Sequence, residues 1–128
     1  LTHLLDTNVA IHLRDGDPTV SAKVAALEGA VLLSIISRVE LEGGVYRDPQ
    51  ETGVRRARLD LMLDALPVLD FGREAADAYR AIVEAAGYSR RKILDRMIAA
   101  QALVHRAALV TRNAADFQDI PGLVLVAW

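Results

Sequence analysis

LTHLLDTNVAIHL, residues 1–13, sets an apolar run directly against a polar triplet. Leu4 and Leu5 lead straight into Asp6-Thr7-Asn8, after which Val9, Ala10, Ile11 and Leu13 follow. A carboxylate at the edge of a core is costly as a bare charge and needs compensation. A hydrogen-bonded turn could supply it, and so could a metal ion. Asp6 could cap a helix that begins near residue 9, as short polar side chains do. Capping requires only one such residue, and this stretch offers three.

The same pattern of a short apolar run followed by a helical segment recurs outward from residue 13. Residues 2–5 read as a strand, 8–14 as a helix and 18–28 as a second helix opened by Pro18. VLLSI at 31–35 is the next strand, Ser37 to about Tyr46 a helix, and Asp48-Pro49 a turn. Helix 51–65, a small strand at 67–69, an alanine-rich helix at 73–86 stopped by Gly87, and helix 91–106 come next. ALV at 108–110 is a strand, 113–118 a helical turn, and LVLVAW at 123–128 the last strand. Short strands without alternation, separated by helices, predict one α/β domain over 1–128. Its sheet is short and mostly parallel, with helices on both faces. Sites in such folds form beyond the carboxyl ends of the strands.

A chain of 128 residues that is 52% hydrophobic and 25% charged is long enough for its own core. It has no cysteine, which excludes disulfides, thiolate metal sites and cysteine nucleophiles. No apolar run resembles a signal peptide or membrane span, so the expected compartment is the cytoplasm, without a membrane partner. The net charge of −2 conceals an uneven distribution. Arg55, Arg56 and Arg58 form one basic group; Arg90, Arg91, Lys92 and Arg96 form another. Charge runs are ordinarily solvated faces, but a metallonuclease also separates acids at its metals from bases that hold phosphates.

Four acids fall at predicted strand ends or on inward helix faces, and each has a plain alternative role. Asp6 could be a cap. Glu40 closes Ser37-x-x-Glu40, a capping-box pattern, yet it shares its side of the helix with Ile36 and Gly44. Glu42, two residues on, shares its side with Arg38 and Tyr46. Asp95 lies mid-helix, where Asp is neither a good helix former nor a cap; it sits beside Ile98, Ala99 and Ala102, with Arg91 as an ion-pair alternative. Asp116 could stand in the first turn of a helix capped by Asn113. Thr111 and Asn113 could instead offer oxygen atoms to a water or phosphate. Like charges gathered in one place raise each other's pKa unless a cation sits among them. An all-oxygen set suits Mg²⁺ or Mn²⁺ rather than zinc. His3, His12 and His105 look peripheral.

LLDTNV at 4–9, SRVEL at 37–41, DRMIAAQA at 95–102 and TRNAADF at 111–117 together resemble the PIN-domain ribonucleases. Within them, the chain looks like the VapC-like toxins of type II toxin–antitoxin systems. The pieces keep the family's order and span nearly the whole chain. The resemblance implies that Asp6, Glu40, Asp95 and Asp116 are the catalytic and metal-binding acids, holding one or two Mg²⁺ or Mn²⁺ ions. Asp116 then serves the second ion or only a metal water. Thr111 falls on a small hydroxyl position at the site's edge and Asn113 on a polar position. The implied reaction is endoribonucleolytic hydrolysis of RNA to 5′-phosphate and 3′-hydroxyl ends. Arg90, Arg91, Lys92 or Arg112 would steer RNA through its phosphates. The basic SRRKIL at 89–94 departs from the family, which commonly carries uncharged residues before its third acid.

The resemblance also implies a small cognate antitoxin, one that could reach the acids with an arginine. Helices 18–28 and 51–65 carry more apolar residues than a small sheet covers, Leu59, Leu61, Met62 and Leu63 among them, which predicts a homodimer. Two rivals stand beside this reading. A receiver-like phosphoryl-transfer domain would want an acidic pair before Asp6 and a lysine after the fourth strand, and has neither here. A non-catalytic binding module could keep such a pocket as a relic.

Overall fold

The computed structural model describes residues 1–128 and places five strands in one sheet, in the order β3-β2-β1-β4-β5. These are β1 (Thr2–Leu5), β2 (Ala30–Ser34), β3 (Val68–Leu69), β4 (Ala108–Thr111) and β5 (Leu125–Ala127). Every pairing is parallel, so the mostly parallel sheet expected from the sequence is parallel throughout. β1 is central, with Leu4 opposite Leu32 on one side and Leu109 on the other. The chain builds outward from β1 to β2 and β3, then returns to add β4 and β5 on the opposite side. The strand order therefore reverses at β1/β4, the position where a crevice opens beyond the carboxyl ends of an α/β sheet.

Six α-helices cover the sheet: α1 (Thr7–Arg14), α2 (Pro18–Ala25), α3 (Ile35–Arg47), α4 (Thr52–Ala65), α5 (Arg73–Ala86) and α6 (Ile93–Val104). Successive strand residues point to opposite faces. Leu4 and Leu109 accordingly pack with Ile82, Ile98, Ala99 and Phe117. Leu5 and Val110 pack with Val9 and Val20, and Leu33 with Leu41, Val45, Leu59 and Met62. No helix is long and apolar enough to cross a membrane.

Several local expectations shift for identifiable reasons. α3 begins at Ile35 because the Ser34 hydroxyl accepts from the Ile36 N–H at 3.0 Å, so Ser34 and not Ser37 is the cap. The apparent capping box Ser37-x-x-Glu40 thus lies inside the helix. The predicted helix 91–106 divides into a 3₁₀ turn at Arg90–Lys92 and α6 proper. Asp95 consequently stands in the first turn of α6 rather than in its middle. The second helix ends at Ala25, three residues early.

Two polar ties fix α6 against the sheet. Fully buried Gln101 accepts from the Ser34 hydroxyl and donates through Nε2 to the carbonyls of Leu69 and Asp70, at 3.1 and 3.2 Å. One side chain thereby joins α6 to the ends of β2 and β3. Buried Arg96 donates to the Gly87 carbonyl at 2.6 Å and to Asp119 at 3.1 Å. It belongs to the core of this corner, not to the basic surface group in which its sequence neighbours place it. Gln101→Leu fills similar volume but leaves Ser34 and two carbonyls short of partners. It should lower unfolding stability by about 1–3 kcal/mol, read from urea denaturation.

Candidate functional site

The carboxyl ends of β1 and β4, the first turn of α6 and the second turn of α3 meet around a cavity of about 340 Å³. Asp6, Glu40, Asp95 and Asn113 line it, with Arg91 on its rim. The sequence places these residues far apart; the strand reversal at β1/β4 brings them together.

Asp6 is 4% exposed and is the best-anchored of the acids. Its Oδ1 accepts from the Thr7 N–H at 2.8 Å, and its Oδ2 accepts from the Thr111 hydroxyl at 2.8 Å. It is therefore the N-cap of α1, the hydrogen-bonded turn that the opening stretch allowed, and it also forms a wall of the cavity. Burial is the leading influence on its pKa and raises it. The two hydrogen bonds pull the other way, and the charges of Glu40 and Asp116 push further up.

Glu40 stands on the solvent-exposed rim of α3 and accepts from the Thr7 hydroxyl at 3.0 Å. The Thr7 hydroxyl also lies 2.7 Å from that of Ser37. Thr7 has one hydroxyl proton, and the carboxylate takes it, so Ser37 must donate to Thr7. The result is a chain Ser37→Thr7→Glu40 in which each bond polarises the next. Ser37 and Glu40 do share a helix face, but they cooperate through Thr7 and not across a helix end. In the sequence Thr7 reads only as a capping residue. The available signal was a hydroxyl immediately after the strand-end acid, opposite a Ser one turn before Glu40. Desolvation raises the Glu40 pKa, the Thr7 bond lowers it, and Asp95 raises it.

Asp95 is half-buried, and desolvation followed by the charges of Asp6 and Asp116 raises its pKa. Arg91 and Lys92 partly offset this from a distance. No ion pair joins Arg91 to Asp95; Lys92 instead pairs with Asp119 at 3.7 Å. Asn113 makes no side-chain cap for the turn Ala114–Phe117, whose Asp116 N–H bonds the Asn113 backbone carbonyl at 3.0 Å. The Asn113 side chain is left to the cavity. Asp116 stands outside the cavity wall yet close enough to act on Asp6 and Asp95. Arg112 lines a separate cleft with Asp17, Lys23 and Trp128. None of the three histidines reaches the acids: His3 is buried, His12 lies 3.8 Å from Asp17, and His105 follows α6.

No three His, Asp or Glu side chains are already gathered within reach of one ion. The donors are all oxygen, several are preoriented by hydroxyls, and three of the carboxylates have raised pKa values with contributions from each other's charge. Such a set fits a hard divalent cation that keeps part of its water shell, as Mg²⁺ does, better than a closely caged one.

A protein-family model described as PIN domain matches residues 3–123. The chain is 28% identical to Ribonuclease VapC2 of Rickettsia felis, over all of this chain and 98% of the relative. It superposes with a TM-score of 0.86 on a chain of the VapBC2 crystal structure from Rickettsia felis, bound to a DNA fragment from their promoter. The identity there is 26%, covering 100% of this chain and 99% of the other. A toxin–antitoxin complex from Klebsiella pneumoniae gives a TM-score of 0.75 at 28% identity, covering 96% of each chain.

The raised carboxyl pKa values carry a sign. A group whose pKa is higher folded than unfolded makes the fold take up protons, so metal-free stability falls as pH rises from the unfolded value near 3.8 through the folded one. Asp95→Asn removes that penalty. In EDTA the variant should melt above the parent at neutral pH, and the gap should close in acid, as measured by circular dichroism.

Proposed function

The chain belongs to the PIN-domain family, in its VapC-like group, and from that premise we propose that it is a metal-dependent endoribonuclease, the toxin of a type II toxin–antitoxin pair. The observation that carries the proposal is the convergence of Asp6, Glu40 and Asp95 on one cavity at the strand reversal. Asp6, Glu40 and Asp95 would hold Mg²⁺ or Mn²⁺, directly or through water, with Asp116 at the edge of the set. When bound, the ion supplies Lewis acidity toward a phosphodiester and the attacking water, and offsets charge on the phosphoryl oxygens.

The chain's own groups then have distinct duties. Thr111 and the Thr7 N–H fix both oxygens of Asp6, so its orientation is set before any ligand arrives. The Ser37→Thr7 chain does the same for one oxygen of Glu40 and leaves the other free. Asn113 offers an amide to water or phosphate on the far wall. Arg91 faces the cavity without an ion-pair partner and can meet a phosphate without reading sequence. Hydrolysis with departure of the 3′ oxygen leaves 5′-phosphate and 3′-hydroxyl ends.

A toxin of this kind requires restraint, and the proposal includes a cognate antitoxin in the same cytoplasm. In support, the groove between α1, α2 and α4 is apolar, holds about 510 Å³ and is walled by Leu13, Val24, Met62 and Leu66. Leu61, on α4, is 69% exposed. Surfaces of that character are covered by protein in assemblies. A homodimer and an antitoxin are both proposed to draw on these helices.

The purified chain should cut cellular RNA at discrete sites in Mg²⁺ or Mn²⁺. Activity should fall at least about 100-fold in Asp6→Asn and Asp95→Asn and vanish in EDTA. End mapping should find 5′-phosphates. Undiminished cutting by both variants would overturn the reading; RNA binding without cutting by the parent would favour the non-catalytic module.

A further inference from the structure

We propose that the acidic cavity continues into a second, arginine-walled trench that seats the RNA backbone beyond the scissile phosphate, an inference that rests on the nuclease reading only for the identity of the polymer. The trench holds about 950 Å³ and shares Ile11 and Glu40 with the acidic cavity, so the two adjoin at those side chains. Its floor is the Gly43-Gly44 step of α3, and Arg14, Arg47 and Arg55 surround it.

Each arginine contributes differently. The Arg14 side chain is only 4% exposed, and its Nε and Nη2 both donate to Oδ1 of Asp15, at 3.1 and 3.0 Å. Its Nη1 makes no protein hydrogen bond and lies on the Gly44 side, 3.2 Å from where a Cβ at that glycine would stand. A buried guanidinium is thereby held with one nitrogen toward the trench, and a Cβ at position 44 would press on it. Arg55 reaches over from α4 and donates through Nη1 to the Gly44 carbonyl at 3.0 Å, with its remaining nitrogens free. Arg47, at the end of α3, is exposed and bonds no protein group.

The acids on this wall are largely engaged. Asp15 is occupied by Arg14, and Asp48 accepts from the Gln50 N–H at 3.1 Å. Gly43 presents bare backbone, since a Cβ there would meet nothing within 4 Å. Free guanidinium nitrogens over an open floor suit phosphate oxygens, which they can grip in pairs. Gly44 and Arg47 follow Glu40 by one and two helical turns, or roughly 6 and 10 Å along the axis. A polyanion leaving the acidic cavity on this side meets cations within its next nucleotides. Arg91 provides the cation on the opposite rim. The chemistry recognised is a chain of phosphodiesters in single-stranded form, not one base or one terminal phosphate.

The test uses a fluorescein-labelled single-stranded oligouridylate and fluorescence anisotropy, with the full chain in an Asp95→Asn background that keeps the probe intact. Arg47→Ala and Arg55→Gln should each weaken binding about 3- to 10-fold, and the slope of log affinity on log salt should shrink by roughly 0.7 per lost contact. Arg80→Ala, on α5 where Arg80 pairs with Glu84, is the control and should bind unchanged. Arg47 has no protein partner, so its variant keeps the test independent of folding. With Asp95 restored, the double variant should show a raised KM at nearly constant kcat. Binding and KM equal to the parent's, or a background protein that does not bind the probe, would overturn the trench. Arginine-dependent binding by a parent that never cuts would leave the trench standing and defeat the nuclease reading.

Discussion

Everything at the site depends on a carboxylate held at the carboxyl end of the central strand. Asp6 is nearly excluded from water, and it stays there because Thr7 and Thr111 each donate to one of its oxygens. Those donors come from the two elements that the strand reversal brings side by side, the start of α1 and the end of β4. The pair Asp6–Thr111 therefore locks the switch point of the sheet as it orients the acid. It also leaves desolvation the strongest influence on this group, a state that an apolar core disfavours and a cation relieves.

The other acids are placed by the same economy of contacts. Glu40 is tethered to Thr7, the neighbour of Asp6, so α3 and β1 cannot slide without breaking the Ser37→Thr7→Glu40 chain. Asp95 has no such tether. Its position comes from α6 as a rigid body, fixed by Gln101 at one level and Arg96 at another. Three carboxylates that repel one another are thus held by hydroxyls, an amide and a guanidinium, none of which neutralises them. A structure that only minimised its own free energy would place a cation side chain there. Arg91 and Lys92 are near enough to act on Asp95 electrostatically, yet neither makes an ion pair with it.

The sequence made the layer order and the strand-end acids legible because both are local. An apolar run of strand length and an acid just after it can be read without knowing any neighbour. What it concealed were partners far along the chain. Thr111 bonds an acid 105 residues away, and Ser34 meets Gln101 across 67. Ser37 looked like a cap because cap and mid-helix hydroxyl share one spacing; Ser34 won because its own backbone is extended and its hydroxyl reaches Ile36 N–H. Arg96 looked like a member of a basic patch because its burial is decided by Asp119 and Gly87, not by Arg90 to Lys92. Asp95 looked mid-helical because nothing in RRKIL announces that the first turn is 3₁₀.

The distribution of arginines argues the same point about function from the other side. Arg56 is spent between Glu42 and Asp60, Arg58 on the Asp15 carbonyl, and Arg96 in the core. The guanidiniums left with free nitrogens flank the acids, Arg91 on one side and Arg14, Arg47 and Arg55 on the other. A phosphate chain laid along that line is attracted at its flanks and repelled at its centre until a divalent cation sits among the acids. The cation, for its part, gains a further anionic partner when the phosphate arrives. By linkage each must then tighten the other equally, because the free energy of having both bound does not depend on the order of arrival. Under the proposed function, the repulsion of a phosphate by Asp6, Glu40 and Asp95, relieved by a cation, would be what couples the metal to the RNA.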